Sequence, residues 1–333
     1  MKKPKITVGI DVSKKKLDVT IVLNPKDSKH LHFIITNDKK GIEKMLNKIK
    51  ALKIDKEELL VCFEHTGVYT MPLCFVLQEK QIQYCMVPSL EIHRSRGILR
   101  GKTDKADSKM IAFYAITHAH KLKFISLPEE ALMKIKVLLS ERNKLVKTIG
   151  IFRKTKEVKG FLPESIFEDS LQINQQTLAF LRQQLREIDK LIQDLIKNDK
   201  VLKNKYDLAT TVPGVGVQTA VYLLVITRAF TAFENWRKLA CYGGMAPFEY
   251  SSGSSIRGKT KVSQLGNKKL KSILNMAALT SRKYDPQIKK YYERKINEGK
   301  NPMSVTNAIK CKLISRVFAT VNRGAPYVIL EAF

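Results

Sequence analysis

The chain opens on Ile6-Thr7-Val8-Gly9-Ile10, an apolar run that reads as a buried strand and stops abruptly at Asp11. A carboxylate ending such a strand needs a partner. Residues 17–22 alternate apolar and polar positions and contain β-branched residues, and residues 31–36 pair with them after the turn-forming Asn24-Pro25-Lys26-Asp27. Ile42, Met45, Leu46 and Ile49 fall at helical spacing within 41–52. A second buried run, Leu59-Leu60-Val61-Cys62-Phe63, again ends in a carboxylate, Glu64; a helix near 71–80 and a strand over 82–87 follow. Antiparallel-looking strands followed by strand–helix crossovers predict a mixed sheet covered by helices.

Pro128 marks a boundary, after which Leu132, Ile135, Leu139, Val146 and Ile149 trace a long helix. A second helix is predicted to begin near Leu178, and its Leu178, Leu181, Leu185, Ile188, Ile192 and Leu195 step by threes and fours as a coiled-coil seam does. With Phe161-Leu162-Pro163 interrupting, this pair folds as a helical hairpin or zips to a second protomer, and a dimer contact is the expectation. Residues 208–220 read as a helix, a tight Pro213-Gly214-Val215-Gly216 turn and another helix. That is a helix-hairpin-helix pattern, whose glycines let backbone N–H groups approach a phosphate. Small and turn-forming residues dominate 241–260 and predict a loop exposing several hydroxyls, before helices over about 267–282 and 310–321. The divisions are an α/β domain over 1–125, a helical coiled-coil region over 126–205 and a mainly helical domain over 206–333.

Charge changes the picture more than composition does. A 333-residue chain with 44% hydrophobic residues and a mean hydropathy of -0.19 is expected to be globular and soluble. Its 60 Lys and Arg against 31 Asp and Glu give a net charge of +29, which calls for a polyanion, nucleic acid before an anionic membrane. No apolar run approaches the roughly 18 residues of a spanning helix, and the stretch after Met1-Lys2-Lys3-Pro4-Lys5 is too short for a signal peptide. The expected location is the cytoplasm, in association with the nucleoid. Cys62, Cys74, Cys85, Cys241 and Cys311 have neither disulfide nor zinc spacing and are expected as buried thiols, and the histidines form no metal pattern.

The chemistry rests on carboxylates. Asp104 and Asp107 open a predicted helix over 104–117 and share one face, about 5–6 Å apart at Cβ. With Asp11 and Glu64 they make a set of acidic groups that repel unless neutralised, and all-oxygen ligands select Mg²⁺ or Mn²⁺. Basic residues surround them: Arg94, Arg96, Arg100 and Lys102 read as a loop that clamps phosphates or simply faces solvent. Residues 251–271 hold six basic residues, Arg257, Lys259 and Lys261 among them, and no acidic one. The order of strands and helices before Val87 is that of ribonuclease-H-like nucleases.

The four carboxylates, together with Gly244-Met245-Ala246-Pro247, Ser252-Gly253-Ser254-Ser255 and Leu265-Gly266-Asn267-Lys268-Lys269-Leu270, resemble the DEDD transposases of the insertion-sequence family one-ten. The resemblance runs from Asp11 to about Arg316. It implies a bridge-RNA-guided serine recombinase with a RuvC-like domain, a coiled coil and a C-terminal transposase domain. It also implies catalytic Asp11, Glu64, Asp104, Asp107 and Ser252, with Ser251 the neighbour that a one-residue shift would choose. Two Mg²⁺ or Mn²⁺ ions would sit on the carboxylates about 3.5–4 Å apart. Nucleic-acid contacts are expected at Arg94, Arg96, Arg100, Lys102, Gly214, Gly216, Arg257, Lys259 and Lys261. The implied partners are donor and target double-stranded DNA, a non-coding guide RNA and further copies of the chain as a dimer or tetramer, the serine of one protomer meeting the metal site of another. Two other readings stand beside it: a Holliday-junction-resolvase-like nuclease that uses water and leaves no covalent adduct, and a non-catalytic nucleic-acid-binding protein.

Overall fold

The computed structural model describes residues 6–23, 30–53, 55–95, 103–154, 161, 163–252 and 256–329. The chain folds as two compact units, Met1–Leu127 and Pro128–Phe333. In the first, β1 (Ile6–Val12), β2 (Lys16–Val22) and β3 (His30–Thr36) are followed by α1 (Lys39–Lys50), β4 (Leu59–Glu64), α2 (Met71–Glu79), β5 (Tyr84–Val87), α3 (Ser89–Ser95) and α4 (Asp104–Thr117). The sheet order is β3-β2-β1-β4-β5. β1 pairs antiparallel with β2, and β2 with β3, while β4 runs parallel to both β1 and β5. This is the predicted mixed sheet, with the ribonuclease-H-like strand order.

Alternation along the strands sorts the residues between two faces. Ile6, Val8, Ile10 and Val12 of β1, Leu17, Val19 and Ile21 of β2, and Leu59, Val61 and Phe63 of β4 join Ile42, Met45, Leu73 and Leu77 of α1 and α2 in one core. On the other face Leu60 and Cys62 pack with Ile92 of α3 and with Ile111, Tyr114 and Ala115 of α4. Being covered on both faces explains why β1 and β4 read as nearly continuous apolar runs.

The second unit contains α5 (Glu130–Lys154), α6 (Glu164–Lys197), α7 (Lys200–Thr210), α8 (Val217–Ile226), α9 (Trp236–Tyr242), β6 (Pro247–Ser252), β7 (Ile256–Val262), α10 (Lys268–Tyr284), α11 (Pro286–Asn297) and α12 (Pro302–Arg323). Three expectations change here. The second long helix starts at Glu164 behind Pro163 rather than near Leu178, because the polar turns before the seam continue the helix without a breaker. Its seam is used inside the chain: Ile192 and Ile196, with Ile188 and Leu195, pack on Leu132, Ile135 and Leu139 of α5, and Arg142 of α5 pairs with Asp189 at 2.7 Å. An antiparallel intrachain hairpin therefore replaces the expected dimer contact on that seam. The predicted hydroxyl-bearing loop is instead a two-stranded hairpin, β6 against β7. Pro247-Phe248-Glu249-Tyr250 and Ile256-Arg257-Gly258-Lys259-Thr260 hold β-formers at alternate positions on either side of the small residues. Of the five cysteines, Cys62, Cys74 and Cys85 are buried, but Cys241 is exposed and Cys311 only partly covered. No helix among the described residues is long and apolar enough to cross a membrane.

Candidate active site

The α4-facing side of β1 carries Thr7, Gly9 and Asp11, and Gly9 is where the helix comes closest. A Cβ on Gly9 would lie 2.3 Å from the backbone nitrogen of Ala112 and 2.3 Å from the carbonyl oxygen of Ser108. Only glycine admits the helix so near the strand. Beside this contact Thr20 Oγ1 of β2 and Ser108 Oγ share a buried hydrogen bond of 2.8 Å. One step further along the same face, Asp11 therefore arrives at the first turn of α4, where Asp104 and Asp107 stand. One carboxylate oxygen from each of Asp11, Asp104 and Asp107 lies within 4.8 Å of the other two. The helix start is capped by Thr103, whose Oγ1 accepts from the Ala106 N–H at 3.2 Å, and the positive end of the helix favours anionic groups in that turn. Ile10 pairs with Phe63, so Glu64 stands level with Asp11 on the next strand. It is outside the close group of three, but its negative charge is felt at Asp11.

Burial, then the charges of Asp107, Asp104, Glu64 and Asp18, push the Asp11 carboxyl up to about 6. Oxygen donors that repel one another in this way are the donor set of a hard divalent cation, and the residues fit one. Their number and spacing suit Asp11, Asp104 and Asp107 as direct ligands, with Glu64 on the rim. A second set of polar groups adjoins them that the sequence reading missed. Asp18 sits opposite Asp11 in the antiparallel pair and is buried, held by Lys16 Nζ at 3.2 Å and His32 Nε2 at 3.2 Å. Lys16 Nζ also donates to Asp104 Oδ2 at 2.8 Å, an ammonium bridging the site and its neighbour. The signal was present in Lys16-Leu17-Asp18-Val19-Thr20, where every second residue is polar in a strand that has no solvent face.

The remaining expected residues lie as follows. Arg94 is exposed on α3, a helix where a loop was expected, because Ile92 anchors that turn to the sheet; Arg96, Arg100 and Lys102 lie outside the described residues. Ser252 is the last residue of β6 and pairs with Ile256, while Ser251 pairs with Arg257. Lys259 and Lys261 lie on β7, with Lys261 opposite Phe248, and Gly253 to Ser255 are outside the described residues. Between α7 and α8, Gly214 has φ +93° and faces α10, where a Cβ would meet Ala277 O at 2.6 Å. A Cβ on Gly216, the residue before α8, would meet nothing within 4 Å. The first glycine of the turn is thus occupied by internal packing, and only the second stands open.

Comparison with known proteins bears on both units. Residues 8–166 match a family model described as "Transposase", and residues 206–293 match one described as "Transposase IS116/IS110/IS902 family". The "Pilin gene-inverting protein" of Moraxella lacunata is 26% identical over 97% of this chain and 98% of that protein. The "Insertion element IS110 uncharacterized 43.6 kDa protein" of Streptomyces coelicolor is 36% identical over 35% of this chain and 29% of its own length. A solved structure, "T. thermophilus RuvC in complex with Holliday junction substrate", is similar over 36% of this chain and 99% of that chain, with 11% identity and a TM-score of 0.26.

Proposed function

The chain belongs to the IS110 family of insertion-sequence transposases, and from that premise we propose that it cuts, exchanges and rejoins DNA strands through a metal-bound carboxylate group and a serine nucleophile, guided by RNA. The observation that carries the reading is the convergence of Asp11, Asp104 and Asp107 within 4.8 Å, on the stretch matched by the transposase model. Glu64 completes the set as the fourth acidic group. When bound, Mg²⁺ would neutralise these carboxylates and stabilise the charge that builds up on a scissile phosphate.

Ser252 Oγ attacks the phosphorus as its proton passes to solvent water, from which the leaving oxygen takes one up. The bond from phosphorus to one DNA oxygen breaks, that oxygen leaves as a hydroxyl with a proton, and the other strand end stays on the protein as a phosphoserine ester. A strand hydroxyl then attacks the ester, restoring Ser252 and a phosphodiester, so no nucleotide is consumed. A serine hydroxyl needs a base or a metal ion to lose its proton readily; no histidine is near Ser252 in sequence, so the cation of a carboxylate site would supply that activation. Arg257 and Lys259, on the strand after it, would offset transition-state charge. In this division of labour residues 1–125 hold the metal, 126–205 form the intrachain helical hairpin that follows them, and 206–333 supply the serine and grip nucleic acid through the exposed Gly216 end of α8.

The test is a denaturing gel of protein, guide RNA and labelled donor and target DNA. Ser252→Ala should remove the protein-linked DNA band while DNA and RNA binding persist, and Ser251→Ala should leave the band. Survival of the band in Ser252→Ala with loss in Ser251→Ala would move the nucleophile by one residue. Cleavage with free ends and no band in any variant would make water the nucleophile, as in a resolvase-like nuclease.

A further inference from the structure

At the foot of the β6–β7 hairpin lies a cleft of about 300 Å³ lined by Cys241, Tyr242, Phe248, Leu265, Gly266 and Asn267, with Ser263 at its edge. Its walls are unusual for a surface so rich in lysine. Tyr242 is 46% exposed, Phe248 50% and Leu265 74%, so three large apolar side chains face water around one opening. Tyr242 is also held in place. Asn267 Nδ2 donates to its hydroxyl at 3.2 Å, the Asn267 backbone N–H donates to its carbonyl at 2.9 Å, and its ring rests at 5.5 Å from that of Phe233. Asn267 in turn is fixed as the cap of α10, its Oδ1 accepting from the Leu270 N–H at 2.8 Å and from the Tyr222 hydroxyl at 3.2 Å. A pre-set aromatic face gives up little freedom when something flat is laid on it.

Charge decides what that flat group is. The cleft borders the stretch 251–271, which holds six basic residues and no acidic one; Lys261 pairs with Phe248 across the hairpin and Lys268 follows Asn267. A polyanion that carries flat aromatic groups matches both properties: aromatic side chains stack on bases regardless of their identity, and the basic surround tracks the phosphates. A base inside a duplex is stacked on both faces and cannot enter. We propose that this cleft takes one unpaired nucleobase, between Tyr242 and Phe248, from the strand of DNA or RNA that passes the serine hairpin. The site rests on the reading of the chain as a nucleic-acid enzyme and adds to it a strand-gripping point for single-stranded nucleic acid.

Cys241 supplies a reporter, because it is the exposed thiol among the five and lines this cleft. The experiment measures alkylation of Cys241 in the full-length protein by mass spectrometry, together with binding by fluorescence anisotropy. The probes are a single-stranded DNA, the same sequence as RNA, a blunt duplex of equal length, and an abasic single strand. The DNA or the RNA single strand should slow Cys241 alkylation at least fivefold, the duplex and the abasic strand much less, and the preference between DNA and RNA identifies which strand is held. Phe248→Ala should weaken single-strand binding about tenfold with duplex binding unchanged. Tyr242→Phe, which keeps the ring, should retain it, and Tyr242→Ala should behave as Phe248→Ala if the melting temperature is kept. Single strands that bind but leave Cys241 fully reactive, or a Phe248→Ala protein that binds them normally, would overturn the cleft alone. A protein that binds none of the probes would overturn the nucleic-acid reading, and the cleft with it.

Discussion

The Asp11 carboxyl is the residue on which most of the electrostatics turns. Burial and four neighbouring carboxylates push it up to about 6, so without a cation the folded chain between roughly pH 4 and 6 holds a proton that the unfolded chain has released. Stability must therefore fall as pH rises through that window, and the cost persists above it until a cation or a neutral side chain removes the repulsion. Solvent at this half-buried site screens part of the effect, which leaves ~1–2 kcal/mol. Asp11→Asn should raise the melting temperature at pH 7.5 in chelator and abolish the further rise that Mg²⁺ gives the unsubstituted protein. Calorimetry with and without Mg²⁺ checks both, and an Mg²⁺-induced rise that survives in Asp11→Asn would remove Asp11 from the ligand set. Lys16 makes a second case at the same scale. Its ammonium donates to Asp104 Oδ2 at 2.8 Å and lies 3.2 Å from Asp18 Oδ2, so it neutralises the site but also repels an incoming cation. For a unit charge and a divalent ion about 4 Å apart the repulsion is about 2 kcal/mol at the dielectric of bulk water. Lys16→Met should then bind Mn²⁺ more than about tenfold tighter, read by titration; weaker binding would mean that the ammonium's chief effect is to hold Asp104 in place.

Among elements, the turn between α7 and α8 separates packing from recognition. Gly214 combines φ +93° with a backbone oxygen of α10 where a Cβ would go. Gly214→Ala should cost about 2–3 kcal/mol of stability through strain and overpacking. Gly216→Ala adds its methyl to open space but puts alanine at the N-cap of α8, so it should cost up to about 1 kcal/mol, well below Gly214→Ala. If the α8 start binds a phosphate, Gly216→Ala should still weaken DNA binding; anisotropy with unchanged affinity would leave the turn a purely structural joint. The same contrast explains what the sequence made legible. β1, β4 and α4 were readable because burial on both sheet faces leaves a continuous apolar run, and because Asp11, Glu64, Asp104 and Asp107 interrupt or follow that pattern where apolar residues belong. The α6 seam was equally visible, but spacing cannot say whether its partner helix belongs to the same chain, and α5 supplies it. The hairpin was hidden by Ser251-Ser252-Gly253-Ser254-Ser255, whose turn signal outweighed the short alternation on either side. Asp18 was missed because a polar residue in an alternating strand ordinarily faces water, whereas here α4 packs on β2 and covers that face; Lys16 and His32, which pair with it, were missed along with it.

At the scale of the whole molecule, a net charge of +29 separates affinity from specificity. Lysines and arginines that neutralise phosphates release counterions from any duplex, so the binding they confer depends on salt and not on sequence. For six to ten phosphate contacts the affinity should drop by about 10³–10⁵ between 50 and 200 mM salt. A transposase that acts at chosen sites must take its discrimination from elsewhere, and in the RNA-guided reading it comes from base pairing by the guide. Two consequences follow that net charge alone does not produce. Protein stripped of RNA by nuclease should bind a target duplex and a scrambled duplex within about twofold of each other, with the same steep salt slope for both. Reloaded with its RNA, it should bind DNA with a shallower slope, because the phosphates of the RNA already occupy part of the basic surface, and it should prefer the target by at least tenfold. Anisotropy titrations at several salt concentrations, with each duplex and with and without RNA, measure slope and preference together. A target preference already present in the stripped protein would place sequence reading in the protein's own side chains, and the guide would then have no part in choosing the site.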